Sequence, residues 1–230
     1  RLLWFDVELF VKRLAVKYRS RTVMAVASTH EQFGALAASL LAEKLGLPGA
    51  SLQSLLTAQH KFLARQIHAK CMPENVPPFC GFRYDADVRT AVTIKYPVFV
   101  KPVKAAFSVL AKRCKDEAAL RAHLKFALWE KFIIKRLTWP FRRVSARRIE
   151  CEIDADCFIA EGCVDGALQV CVDGYAKGGE VHILGTVDSV MYPGTSAFMR
   201  FEYPSQLASE RVQRLEDVAK RAVEAIGFTH

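Results

Sequence analysis

The heptapeptide Tyr96-Pro97-Val98-Phe99-Val100-Lys101-Pro102 restricts the fold more than any other stretch of the sequence. Its apolar centre reads as a strand, and the flanking prolines fix its length because proline cannot donate to a ladder. Lys101 ends that strand on the same face as Phe99. An unpaired charge is costly to bury, so Lys101 must reach either the mouth of a cleft or a partner of opposite charge. The 230 residues are 51% hydrophobic and 25% charged, which predicts a globular chain with a sizeable core. Charged residues or His interrupt every apolar run before transmembrane length, so no membrane partner is expected. Arg1 is not preceded by a signal segment, and the first residues read as domain interior. The chain is therefore read as a fragment.

Around this strand the periodicity alternates between helix and sheet. Asp6 to Tyr18 has helical spacing, with Asp6 as N-cap. Thr22–Ala27 reads as a short strand. Thr29 is placed as the cap of a helix reaching Leu45, with Gly46 as its stop, and Ser51 as the cap of a third helix to about Lys70. This helix–strand–helix order predicts an α/β fold with a parallel sheet. Pro73, Pro77 and Pro78 mark a boundary. Beyond it, Ser108–Cys114 reads as a strand, Asp116 to about Glu130 as a helix, and the basic stretch 131–148 as an irregular exposed insertion. Cys157–Glu161 reads as a strand. Leu168–Ala176 and Glu180–Met191 flank Lys177-Gly178-Gly179 as a hairpin, and Leu207–Ile226 is an amphipathic helix ended by Gly227.

The net charge of +9 is unevenly distributed: residues 1–150 carry 27 basic and 11 acidic side chains, residues 151–230 carry 6 and 13. The first part suits an anionic partner or a solvated basic face. The seven cysteines form no CxxC pair and several sit in apolar runs, which predicts reduced thiols and a cytoplasmic location. No P-loop, dinucleotide fingerprint or nucleophile elbow occurs. Glu150, Glu152, Asp154 and Asp156 alternate as on one strand face, open to reading as a cation site or an exposed edge. Arg200 is open to facing a phosphate, an acidic substrate or solvent. Lys61, Arg65 and His68 share a helix face. With Lys101 and Glu161 they outline a phosphate-and-adenine cleft; a solvated helix face and a snorkelling lysine are the alternative.

At these residues the sequence resembles the ATP-grasp superfamily of carboxylate–amine and carboxylate–thiol ligases, including biotin carboxylase-like members. The likeness lies in the order of segments: Leu45-Gly46-Leu47-Pro48-Gly49, the helix with Lys61 and Arg65, Tyr96–Pro102, Asp116–Leu120, Phe158-Ile159-Ala160-Glu161 with Gly166, and Val172-Asp173-Gly174-Tyr175. It covers about residues 22–230. It implies the end of a Rossmann-like pre-ATP-grasp domain (1–72), then an ATP-grasp domain (73–230) comprising an α+β lid (about 79–162) and the start of a second α+β lobe (163–230). The implied chemistry is phosphorylation of a small carboxylate by ATP with Mg2+, followed by attack of an amine or other nucleophile on the acyl phosphate. Lys61 and Lys101 would lie along the phosphates. Glu161 would accept from the adenine amino group, the backbone of Cys163 and Val164 would complete the adenine edge, and Gln169 would face ribose or phosphate. The loop after Lys101 lacks the glycines common in the family, and Lys104 and Ser108 stand there as substitutes. The segment 131–148 has no family counterpart. The acidic Mg2+ ligands, and the Asn and Arg that follow them, are expected beyond His230, so no catalytic side chain is assigned. Two other readings remain: a basic nucleic-acid-binding module, which no recognised RNA- or DNA-binding signature supports, and a non-catalytic ATP-grasp-like scaffold.

Overall fold

The computed structural model describes residues 2–106, 108–164, 166, 168–195 and 197–230. Asp6 caps the first helix as its position predicts: its carboxylate accepts from the Leu9 N–H at 2.9 Å, and α1 runs Val7–Tyr18 with Val7 and Val11 buried. The strand predicted over Thr22–Ala27 does not form. These residues have no ladder partner, and Met24 is exposed. Strand propensity is realised only against a neighbouring strand. Helix α2 spans Phe33–Leu45 and ends at Gly46 in the left-handed conformation. Its N-cap position is Gln32 rather than Thr29, because residues 28–30 close on themselves through the His30 N–H to Ser28 Oγ bond.

The predicted third helix is two helices. Ser51 caps α3 (Leu52–Gln59), and His60 separates it from α4 (Lys61–Cys71). The buried His60 ring performs the second cap, its Nδ1 accepting from the Leu63 N–H at 3.2 Å. That acceptor role requires a neutral ring, and burial holds its pKa below the usual histidine range. The break places Lys61 at the first turn of α4.

Next come β1 (Phe79–Phe82), the single-turn α5 (Val88–Ala91), β2 (Val98–Pro102), β3 (Lys112–Cys114), α6 (Glu117–His123), α7 (Leu128–Ser145) and β4 (Phe158–Gly162). The four strands form one sheet in the order β1-β4-β2-β3. The strand predicted from Ser108 is confined to its last three residues. The helix predicted from Asp116 to Glu130 stops at His123 and restarts at Leu128. β4 is central, and Phe158, Ile159 and Ala160 are fully buried. Gly81 on β1 permits close packing: a Cβ there would lie 2.5 Å from Ile153 and 2.9 Å from Phe62 of α4.

The stretch 131–148, expected to be irregular, is helical as far as Ser145, within α7, and turns over 146–148. Phe141 and Val144 are buried against α1 and α2, while Arg142 pairs with Asp154 and Asp156, Arg143 with Asp6 and Glu8, and Arg148, just past the helix, with Glu43. Asp154 and Asp156 thus sit in turns facing α7, and no strand forms over 150–156.

β5 (Val170–Lys177), β6 (Glu180–Met191) and β7 (Phe198–Glu202) form a second sheet in that order. Its hairpin turns through Gly178 and Gly179 at φ 61° and 87°, values that favour glycine and match the predicted turn. Every pairing among the described strands is antiparallel, so the expected parallel sheet is not found among them. Helix α8 (Ser209–Ile226) joins the second sheet to α4: Thr186 donates to Glu216 at 3.1 Å, and His68 Nε2 lies 3.2 Å from the Ala222 carbonyl. Among the described residues no helix is long and apolar enough to cross a membrane.

Candidate functional site

The ladder between β2 and β4 sets Phe99 opposite Glu161. Paired residues share a face, and so does the residue two further on, so Lys101 and Glu161 point to the same side. Lys101 Nζ lies 2.6 Å from Glu161 Oε2, while Arg65 of α4 takes Oε1 through Nε at 2.8 Å and Nη2 at 2.7 Å. Burial opposes ionisation of Glu161, but the Lys101 ammonium and Arg65 guanidinium outweigh it and hold the carboxyl below its ordinary range. Glu161, expected to accept from an adenine amino group, thus has both oxygens engaged by cations.

Lys61 is held differently. Its N–H donates to the Val103 carbonyl at 3.2 Å and its Nζ to the Ala105 carbonyl at 2.5 Å. Val103 is itself pinned to the start of β4, donating to the Cys157 carbonyl at 2.9 Å. Lys104 Nζ donates to Gln59 Oε1 at 2.8 Å and stands 5.1 Å from the centre of the Phe141 ring. Burial lowers both lysines to about 8, with Lys101 adding to the effect on Lys61 and Lys61 to that on Lys104. Among the described residues neither has a carboxylate within ion-pair distance.

A cavity of about 530 Å³ opens between the sheets. Lys61, Lys101, Ser108, Val164 and Gln169, all predicted from the sequence, line it. Phe99 of the first sheet and Met191 and Phe198 of the second add apolar walls. Glu161 lies behind Lys101, and Cys163 follows the last ladder residue, Gly162, outside the lining. The loop replaces the absent glycines with two non-glycine residues in the left-handed region, Ser108 at φ 54° and Leu110 at φ 57°. Arg200 pairs with Glu202 at 2.5 Å on exposed β7. A larger depression, about 1150 Å³, lies between α7 and residues 149–154, but Asp154 and Asp156 already neutralise its Arg142. No described group of three His, Cys, Asp or Glu side chains is placed to hold a metal, so these residues do not by themselves fit a Mg2+ site.

Phe99 reads from the sequence only as sharing the face of Lys101, and the walls contributed by Met191 and Phe198 are not legible there. An aromatic ring at an exposed position of β7 was the available signal. Lys104 was legible only as a substitute for glycine, since nothing local indicates that Phe141 lies beneath it.

No family model matches the chain, and no curated protein matches it. Solved structures do. L-amino acid ligase from Bacillus licheniformis is 20% identical with a TM-score of 0.70, over 98% of this chain and 48% of that one. The biotin carboxylase domain of 2-oxoglutarate carboxylase from Hydrogenobacter thermophilus, solved with MgADP, ADP and bicarbonate, is 18% identical with a TM-score of 0.65, over 97% and 46%. N5-carboxyaminoimidazole synthase from Aspergillus clavatus, solved with ADP and 5-aminoimidazole ribonucleotide, is 17% identical with a TM-score of 0.64, over 94% and 50%. The chain has the ATP-grasp fold and spans about half the length of these structures.

Proposed function

We propose that the cleft binds ATP and that the chain is the nucleotide-binding part of an ATP-dependent ligase. The observation that carries this reading is the charge layout: Lys61 and Lys101 line a cavity with one close carboxylate, Glu161, behind Lys101, and with apolar walls from Phe99, Val164, Met191 and Phe198. A polyphosphate supplies the missing negative charge. A purine ring suits the space between Val164, Phe99 and Phe198, with the Cys163–Val164 backbone at its edge and Gln169 near the ribose. In the reaction, a carboxylate oxygen attacks the terminal phosphorus and ADP leaves. An amine or other nucleophile then attacks the acyl carbon of the acyl phosphate and inorganic phosphate leaves. Mg2+ offsets phosphate charge when bound. The described residues here bind and orient the nucleotide. Seven free cysteines fit a reducing cytoplasm.

The nucleic-acid reading draws on the basic segment 131–148, but its arginines 142, 143, 147 and 148 are engaged with acidic side chains of the same chain. Titration calorimetry of Mg·ATP with the protein and its Lys101→Met variant tests the proposal. Binding that weakens at least tenfold in the variant supports it; equal affinity in both overturns it.

A further inference from the structure

Arg65 does not line the cavity between the sheets, yet it is bound to the carboxylate behind it. It follows Lys61 by one turn of α4, a helix fixed at its start by the His60 cap and by the bond from the Lys61 N–H to the Val103 carbonyl. That placement carries the guanidinium to Glu161 Oε1, which accepts from Nε at 2.8 Å and lies 2.7 Å from Nη2. Lys101 holds the other oxygen, Oε2, at 2.6 Å. Further along the same helix His68 meets the Ala222 carbonyl of α8, so α4 is anchored on both sides of Arg65.

These three side chains carry two positive charges and one negative, so the cluster keeps one positive charge in excess around a carboxylate that is 6% exposed. Two demands meet at Lys101. To serve a phosphate, its ammonium must turn from Glu161 toward the cavity that it lines. A nearly buried carboxylate stripped of its cation is strongly destabilising, because water does not replace the lost partner. With Lys101 as its sole partner, Glu161 would hold the ammonium in a neutral pair with little attraction for a phosphate. Arg65 removes the conflict. Its guanidinium occupies the oxygen that Lys101 leaves free, and it approaches from α4, outside the cavity lining. A ligand entering between the sheets does not compete for it.

We propose that Arg65 is a positioning residue for nucleotide binding: by holding Glu161 as its own counter-ion, it frees the Lys101 ammonium for a phosphate group. The inference rests on the nucleotide reading and deepens it, since it assigns a role to a side chain that touches no ligand. The two cations of α4 then divide the work. Lys61 borders the cavity, and Arg65 offsets the charge behind it.

The test is calorimetry of Mg·ATP with the full-length protein and its Arg65→Gln, Arg65→Lys and Arg65→Gln/Glu161→Gln variants, each checked by thermal unfolding. Arg65→Gln keeps a donor for Oε1 but loses the charge, and is expected to weaken Mg·ATP at least fivefold. Arg65→Lys keeps the charge and should remain within threefold of wild type. In the double variant no carboxylate captures Lys101, so affinity should recover at least threefold relative to Arg65→Gln. A purely structural role predicts further loss there instead. Equal affinity in Arg65→Gln and wild type, or no recovery in the double variant, overturns the inference while leaving the nucleotide reading intact. A wild-type protein that binds no Mg·ATP overturns both. Infrared difference spectra of the wild type with and without Mg·ATP keep the inference testable where a variant fails to fold. Glu161 should stay ionised when the nucleotide binds, and a protonated-carboxyl band appearing on binding overturns the proposal.

Discussion

Glu161 and the half-buried Lys61 and Lys104 illustrate opposite solutions to burying charge, and each has a pH signature. Glu161 is 6% exposed and held by Lys101 and Arg65, both of which keep some water contact. Glu161→Gln removes their shared counter-ion and is expected to destabilise the fold by about 2–4 kcal/mol in urea titration, somewhat below a fully buried pair. Because its folded-state pKa is depressed, its contribution is present above the unfolded carboxyl range and is lost as pH falls through the folded value. Wild-type stability should therefore fall in acid below about pH 4, and Glu161→Gln should flatten that slope. Lys61 and Lys104 behave in reverse. Their values near 8 mean that both are about half deprotonated at that pH, whereas a phosphate bound in the cavity that Lys61 lines favours its charged form. Nucleotide affinity should decline from about pH 8 upward, with proton uptake on binding detectable as buffer-dependent enthalpy. Constant affinity between pH 7 and 9.5 would remove Lys61 from the phosphate site.

At the scale of elements, the sequence was most legible where one local signal sufficed. The Asp6 cap, the Gly46 and Gly227 stops, the Gly178-Gly179 turn and β2 between its prolines all appear as predicted. It was least legible where distant contacts decide. Helix α7 reads as irregular because Pro140 and a run of arginines interrupt its pattern. Burial of Phe141 and Val144 against α1 and α2, and the Arg143 ion pairs with Asp6 and Glu8 over a hundred positions away, make it a helix. The split between α3 and α4 was hidden for the same kind of reason, since a histidine acts there as a cap. Phe141 connects both features, stacked 6.4 Å from His60 and beneath Lys104. Phe141→Ala should cost about 3–5 kcal/mol in denaturant unfolding. A loss below about 1 kcal/mol would return α7 to the status of a peripheral insertion.

On the scale of the whole molecule, the cleft follows from two antiparallel sheets that meet across it, with α4 touching both the first sheet and α8. Five of the seven predicted site residues converge on that cleft although they lie between positions 61 and 169 in the chain. Their order along the sequence was readable through resemblance, whereas the facing wall of Met191 and Phe198 depends on how the second sheet docks, which no local pattern encodes. The central claim is the location of the nucleotide between the sheets, and photolabelling with 8-azido-ATP followed by peptide mapping tests it directly. The account predicts ATP-protectable labelling of the peptides that carry Val164, Gln169, Met191 or Phe198, which line the cavity. Protectable labelling confined to 131–148, on the outer side of α7, would contradict it.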